Sequence, residues 1–433
     1  MKRYYFIFLL FFVLALAGCG DGSGSSSNGG NGGGGNGGSG GGTVEMACLC
    51  FTSSGSNTVS IRIFGTLDNI PELEYSKDGQ NWSPLVLVNN ETVEVTDLSD
   101  GEKVYLRAQN TNSSFSESGS KRIRFVFAGD GTIAASGNIM SLLDKTISST
   151  EIPCDKCFYG IFSSCTTLTR APALPATILT DQCYAYMFNG CTSLMTAPAL
   201  PATTLADSCY AYMFNGCTSL MTAPALPATI LTDQCYANMF NDCTSLVTAP
   251  VISAETLACL CCLSMFGGCT SLVTAPVLPV ESLVMCCYQA MFCGCTNLVN
   301  APDLPATTLA NYCYGGMFDG CTSLVNAPAL PVTSLADYCY ESMFKGCTSL
   351  VNAPALPATS LADGCYKAMF YNCTSLKYLN VSFEIWGTQT DNWVENVNKP
   401  GIFVCPELLA MAPGSIGDKG VNMVPLGFIV ENP

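Results

Sequence analysis

The hydrophobic positions of this chain recur with a period of 26 residues between Cys157 and Cys373. One pattern, C-Y-x-x-M-F-x-G-C-T-S-L-x-x-A-P-x-L-P-A, occurs nine times in succession without insertion or deletion. Self-similarity at a fixed period of this size predicts stacked repeats, each of which buries its apolar residues against the next.

Within one repeat the apolar spacing changes from helical to strand-like. Leu205, Cys209 and Met213 follow one another at i, i+4 and i+8 and predict a short amphipathic helix. The residue before the second cysteine is glycine in most repeats, which predicts a left-handed helix C-cap. The alternation over 221–225 then predicts a strand of three or four residues. The predicted fold class is an α/β solenoid, a leucine-rich-repeat-like stack of nine 26-residue coils over residues 157–376.

The first residues have the pattern of an export signal. Lys2 and Arg3 precede an apolar run that is too short to span a bilayer as a mature helix. The run ends at Leu-Ala-Gly-Cys, which resembles the lipobox of bacterial lipoproteins. This predicts a lipoprotein signal peptide at residues 1–18 and lipidation of Cys19, with an ordinary secretory signal as the alternative. Residues 19–43 are almost wholly Gly, Ser and Asn and predict a flexible tether.

Residues 44–137 alternate apolar and polar positions in short runs separated by turn residues, which predicts a small β-sandwich domain. The hairpin from Ser76 to Trp82 resembles the Asp-box turn of sialidase propellers, but it occurs once, and a turn packed by Trp82 is the alternative. Residues 138–156 and 377–433 depart from the repeat pattern, so they are predicted to be an N-terminal and a C-terminal cap.

Composition narrows the range of functions. The chain has 33 acidic and 17 basic residues, a net charge of −16, which opposes binding to nucleic acid or to anionic lipid surfaces. It contains no histidine, so Ser-His and Cys-His nucleophile pairs are excluded. We therefore predict that the protein is not an enzyme and uses no cofactor.

Twenty-seven cysteines in an exported chain would ordinarily indicate a disulfide framework. Eighteen of them, however, occupy the two repeat columns, where they take the place of small core residues. Across a helix end, the two cysteines of one coil lie too far apart for a disulfide. Buried free thiols are the prediction for the columns, and any disulfide is expected among the additional cysteines Cys259, Cys262, Cys286 and Cys293.

Zinc binding is the alternative role for one group of cysteines. Cys154, Cys157 and Cys165 could supply three thiolates, but no second C-x-x-C lies at zinc-ribbon distance and the chain has no histidine. The sequence therefore predicts no metal site.

The segment M-F-N-G-C-T-S-L at residues 213–220 resembles the BspA-type leucine-rich-repeat surface proteins of anaerobic gut and oral bacteria, and residues 137–144 and 392–397 resemble further parts of that family. The period of 26 is longer than the coil of its best-known members. The resemblance implies a cell-surface protein, lipid-anchored to the bacterial outer membrane, that mediates adhesion or binds a host or bacterial surface protein or glycan. It implies no catalytic residues.

A column of polar residues, one per predicted strand, is the candidate binding face. Its members are Arg170, Thr196, Thr222, Thr248, Thr274, Asn300, Asn326 and Asn352. Two alternatives are that the column is merely solvated and that it forms a hydrogen-bonded ladder between coils. A surface display or spacer protein is the alternative function, because the coils that begin at Cys183 and Cys209 are identical over 21 residues. A glycan-active enzyme built on the N-terminal domain is the third hypothesis.

Overall fold

The computed structural model describes residues 48–108, 115–147, 149–278, 280–397, 399–411 and 423–432. By its contacts the chain divides into Met1–Gly42 and a second compact unit, Thr43–Pro433, which contains all of the described residues. The predicted signal peptide, Cys19 and the tether over 19–43 lie outside the described residues. No helix among the described residues is both long and apolar enough to cross a membrane.

The N-terminal part of this unit consists of two β-sheets. Their inner faces meet through aromatic contacts, such as the 4.9 Å between the ring centroids of Phe51 and Phe125. The first sheet has the order β4(Ser83–Leu85)-β3(Leu73–Ser76)-β6(Lys103–Ala108)-β1(Leu49–Ser54)-β8(Thr132–Ser136)-β9(Leu168–Arg170). The second has the order β5(Thr92–Leu98)-β2(Asn57–Phe64)-β7(Arg122–Gly129).

The predicted α/β solenoid is wrong, because the described residues of the repeats form no helix. Among the described residues the single α-helix is α1 (Glu407–Met411), which lies after the last repeat, and two short 3-10 turns occur at Ile139–Leu142 and Thr388–Thr390. The described chain is β-rich, with one six-stranded and two three-stranded sheets.

A chain of tight turns replaces the predicted helix. Met187 N–H donates to the Tyr184 carbonyl at 3.2 Å, three residues back, but Phe188 N–H donates to the Met213 carbonyl of the next repeat at 2.9 Å. This alternation of partners continues through the segment, whereas an α-helix would pair each N–H with the carbonyl four residues back. Every fourth residue is left-handed, as at Tyr186 (φ 58°) and Gly190 (φ 71°). We call this part of each repeat the turn segment.

The position before the second cysteine is left-handed in all nine repeats, as predicted from its glycines. Ser164, Asp242 and Asn372 adopt φ values of 61°, 59° and 61° although they are not glycine. The conformation serves the last turn of the turn segment rather than a helix C-cap. The conformation of Ser164 could not be predicted, since serine is not enriched in the left-handed region.

The predicted strand of each repeat is mostly reduced to single-residue parallel bridges. Thr196, Thr222 and Thr248 bridge in sequence order, and Asn352 bridges to Tyr378. At the two ends the pairing widens into strands. β9 of the first repeat pairs in parallel with β8, and β10 (Tyr378–Asn380), β11 (Gly401–Val404) and β12 (Phe428–Glu431) form a parallel sheet after the last repeat.

One hydrophobic core runs from Leu49 to Phe428. Phenylalanines of successive repeats stack in it, with 5.5 Å between the ring centroids of Phe188 and Phe214 and an interplanar angle of 6°. From the second repeat onward, the second cysteine donates its thiol to a phenylalanine carbonyl 29 residues earlier, as from Cys217 to Phe188 at 3.1 Å, and Cys165 of the first repeat donates to the Phe125 carbonyl of β7. Each repeat therefore depends on the preceding one for both packing and hydrogen bonds.

Candidate functional site

All eight residues of the predicted polar column are exposed. Their backbones form bridges to the neighbouring repeats, so the side chains follow one another along the stack. Asn326 Nδ2 donates to Asn300 Oδ1 at 2.8 Å, so the column also contains one side-chain bond of the kind expected for a ladder. The structure thus brings the predicted column together on one surface.

A neighbouring column of large apolar side chains was missed by the sequence reasoning. The alternation over 221–225 placed Met221 and Thr222 on opposite sides of a strand, but both are exposed, Met221 by 58%. The exposed members of this apolar column are Met195, Met221, Val247, Val273, Val299 and Val325. We use the name repeat face for the polar column and the apolar column together.

Two open grooves border the repeat face near its N-terminal end. The first, of about 590 Å³, is lined by the apolar column at Met195 and Met221 and by serines that include Ser193 and Ser219. The second, of about 420 Å³, is lined by Arg170, Thr196 and the Ala-Pro segments that follow them. The repeat face therefore offers apolar contact area next to hydroxyl groups.

The repeat face carries no carboxylate, and acidic side chains form a column elsewhere in the repeats. Asp181 Oδ1 accepts the N–H of Asp207 at 3.1 Å, and Asp207 Oδ1 accepts the N–H of Asp233 at 3.2 Å. Partial burial and the neighbouring carboxylates of Asp181 and Asp233 raise the pKa of Asp207. This acidic column is a ladder in which each carboxylate caps the next repeat's backbone.

None of the cysteines in the described residues is disulfide-bonded, including the four additional ones considered for disulfides. Burial raises the pKa of Cys183 and of Cys165 to about 12, so both thiols are protonated at neutral pH. A buried, protonated thiol is a poor nucleophile and a poor metal ligand. In the described ranges no group of three or more Cys, Asp or Glu side chains could hold a metal ion, and this includes the three cysteines weighed for zinc.

The hairpin that resembles an Asp-box is held by its own turn. Asp78 Oδ1 accepts the backbone N–H groups of Gln80 at 2.9 Å and Asn81 at 2.7 Å, and these bonds lower the pKa of Asp78. Trp82 lies under the guanidinium of Arg107, at 3.8 Å from Arg107 Cζ to the ring centroid. The aspartate and the tryptophan therefore both have structural partners.

Among known proteins, no family model, no curated protein and no solved structure matches the chain. The function of the repeat face is accordingly inferred from its geometry and chemistry.

Proposed function

We propose that the protein is a lipid-anchored, cell-surface binding protein whose repeat face holds a protein or glycan on a host or bacterial surface. The observation that carries the proposal is the apolar column, in which six Met and Val side chains in successive repeats are 39–58% exposed. An exposed apolar strip rimmed by polar side chains is typical of an interaction surface.

The dimensions of the strip favour an elongated partner. Residues in neighbouring parallel strands lie roughly 4.8 Å apart, so six consecutive members of the column span about 24 Å. The polar column supplies hydroxyl groups in its N-terminal half and amide groups in its C-terminal half. Such groups can both donate and accept hydrogen bonds, as the hydroxyls of a glycan or the backbone of an extended peptide require.

The charge distribution favours an uncharged segment of the partner. Although the whole chain carries a net charge of −16, the exposed members of the repeat face are neutral apart from Arg170 at its N-terminal end. Recognition would then depend on apolar contact and neutral hydrogen bonds, and binding should change little with ionic strength.

The anchoring part of the proposal rests on the sequence around Cys19 and on the resemblance to BspA-type surface proteins. In this proposal the lipid is attached to Cys19, and the Gly/Ser/Asn sequence over 19–43 connects it to the rest of the chain.

The experiment compares two triple variants in a glycan array and in a pull-down from host and bacterial surface extracts. In the first, Asn300, Asn326 and Asn352 of the repeat face are changed to Lys. In the control, Lys replaces three asparagines of the turn segments, Asn189, Asn215 and Asn241. The equivalent position four repeats after Asn241 is Lys345, which pairs with Asp319 at 3.2 Å, so a lysine side chain fits at this position. The control also removes one hydrogen bond, from Asn189 to Asn215 at 2.9 Å, as the repeat-face variant does.

The proposal predicts that the repeat-face variant loses the partner that the wild type and the control retain. Its stability should fall only modestly, because the substituted side chains are exposed and one hydrogen bond, from Asn326 to Asn300, is lost, about 1 kcal/mol. Retention of every partner by the repeat-face variant would contradict the proposal. It would then favour the display or spacer function, to which the near-identity of two repeats points.

A further inference from the structure

Three arginines converge on the outer face of the second sheet. Arg62 on β2 lies directly opposite Arg124 on β7, and Phe64 lies opposite Arg122. The Cζ atoms of Arg62, Arg122 and Arg124 are 4.8, 5.2 and 5.0 Å from the centroid of the Phe64 ring. The three guanidinium groups thus surround a single aromatic side chain.

No carboxylate of the described residues pairs with these arginines. The four ion pairs of the described chain involve Arg107, Lys121, Lys345 and Lys367. On the adjacent strand β5, the residue opposite Arg62 is Thr92. The acidic residue Glu94 lies opposite Ser60, two residues before Arg62 on β2. In a chain with twice as many acidic as basic residues, an arginine cluster without a carboxylate is unexpected.

The cluster also contains donors without acceptors. The Nε atoms of Arg122 and Arg124 are buried and have no hydrogen-bond partner. Arg122 uses its Nη1 to donate to the Gly119 carbonyl. Like charges directly opposite each other in a sheet, and buried donors without partners, both destabilise a fold.

The neighbouring repeat leaves room for this arrangement. Gly160 is left-handed (φ 60°), and a Cβ built on it would lie 3.6 Å from Cδ and Nε of Arg122. The equivalent positions of the next two repeats are Tyr186 and Tyr212. A side chain of that size at residue 160 would occupy the space along Arg122, so the glycine keeps the cluster open.

We propose that Arg62, Arg122 and Arg124 form a binding site for a carboxylate or sulfate oxyanion. An oxyanion between the guanidinium groups would neutralise the facing charges and accept hydrogen bonds from their outward N–H groups, for which guanidinium geometry is well suited. Burial and the charges of Arg122 and Arg62 lower the pKa of Arg124, in agreement with an uncompensated cluster. The site is independent of the repeat face.

The test measures binding of inorganic sulfate, D-glucuronate and uncharged D-glucose to the purified full-length protein by calorimetry at constant ionic strength. The wild type should bind at least one of the two anions saturably and should not bind glucose at this site. The variant R62Q/R124Q removes two guanidinium groups and should bind the anion roughly a hundredfold more weakly, since each charge-assisted hydrogen bond contributes a factor of about ten. The variant K103Q on β6, which removes an exposed positive charge elsewhere, should bind like the wild type.

Urea unfolding in chloride provides a second readout that does not need the ligand. R62Q/R124Q should be at least as stable as the wild type, because it removes facing like charges. Binding of sulfate alone would identify a site for the free ion, and binding of glucuronate would identify a site for an acidic sugar. Absence of saturable binding to the wild type, or equal binding to R62Q/R124Q, would overturn the proposal.

Discussion

Glycine substitutions at left-handed residues of the turn segment distinguish a chain of turns from a helix, because the two structures predict different changes in stability. Ala290 and Ala368 have φ values of 53° and 51° at equivalent positions of their repeats. Their N–H groups donate to carbonyls of the following coil, Gly315 and Asp391, both at 2.8 Å. At the same position another repeat already has glycine, Gly316 with φ 61°. The perturbation is the double variant A290G/A368G.

The matched control is A211G/A237G. Ala211 and Ala237 lie in the turn segments of two other repeats, each directly before a left-handed residue. Both are buried, and neither has a positive φ. In the control each substitution costs about 0.5–1 kcal/mol of backbone entropy and about 0.8 kcal/mol for the lost methyl burial. The two substitutions of the control should therefore together lose roughly 2.5–3.5 kcal/mol of unfolding free energy.

The backbone-entropy loss also applies to A290G/A368G, and its methyl-burial loss is somewhat smaller because Ala368 is only partly buried. Glycine also removes the cost of a left-handed conformation, about 1–2 kcal/mol per residue. The two terms nearly cancel, so this variant should stay within about 1 kcal/mol of the wild type. The difference in unfolding free energy between the two double variants measures the cost of the left-handed conformation at two alanines and should reach roughly 2–4 kcal/mol.

The assay is urea unfolding of residues 43–433, monitored by tryptophan fluorescence and by far-UV circular dichroism. Trp386 and Trp393 report on the C-terminal end of the core. If the two double variants lost the same free energy, residues 290 and 368 would not be left-handed, and the alternating hydrogen-bond pattern of the turn segments would be refuted.

Three further predictions address the anchor, the acidic column and the repeats. Replacing Cys19 by Ala should release the protein into the soluble fraction, and membrane retention of that variant in fractionated cells would contradict lipidation. Asp207→Asn should raise the urea midpoint at pH 7, because the amide still accepts the Asp233 N–H and removes both the partly buried charge and the repulsion that raise the pKa of Asp207. This gain should disappear as the pH falls below that raised pKa and the wild-type carboxyl is protonated, and a gain independent of pH would contradict this. Deleting the whole repeat 209–234 should leave a cooperatively unfolding protein whereas deleting 209–221 should not, and equal melting curves would contradict nearest-neighbour stacking.

Part of the fold could be predicted from the sequence because it depends on the repeat period alone. Residues 26 positions apart bridge along the stack, and the residue before the second cysteine is left-handed. The helix was predicted wrongly because a spacing of four was interpreted as helical periodicity. Leu205, Cys209, Met213 and Cys217 keep a strict spacing of four, whereas an α-helix would rotate the last of them by about 120° relative to the first. Strict spacing over three steps instead fits four-residue turns.

The repeat face was predictable only in its polar half. Thr and Asn are commonly exposed, so the column from Thr196 to Asn352 could be identified from composition. The apolar half was not predicted, because alternation over 221–225 puts Met221 and Thr222 on opposite sides of a strand, and nothing in the spacing indicates that both face solvent. The arginine cluster depends on the register between β2 and β7, which are separated by about 60 residues and whose pairing cannot be deduced from local sequence.

Site-specific photocrosslinking shows most directly whether the repeat face is the surface that contacts a partner. A photoreactive amino acid is placed at Met221, Val273 or Val325 on the apolar column, and at Asp181 or Asp207 on the acidic column as a control. After incubation with living host or bacterial cells, covalent adducts with a partner should form from the three positions of the repeat face and not from the two control positions. Adducts of equal yield from both columns, or from the acidic column alone, would contradict it.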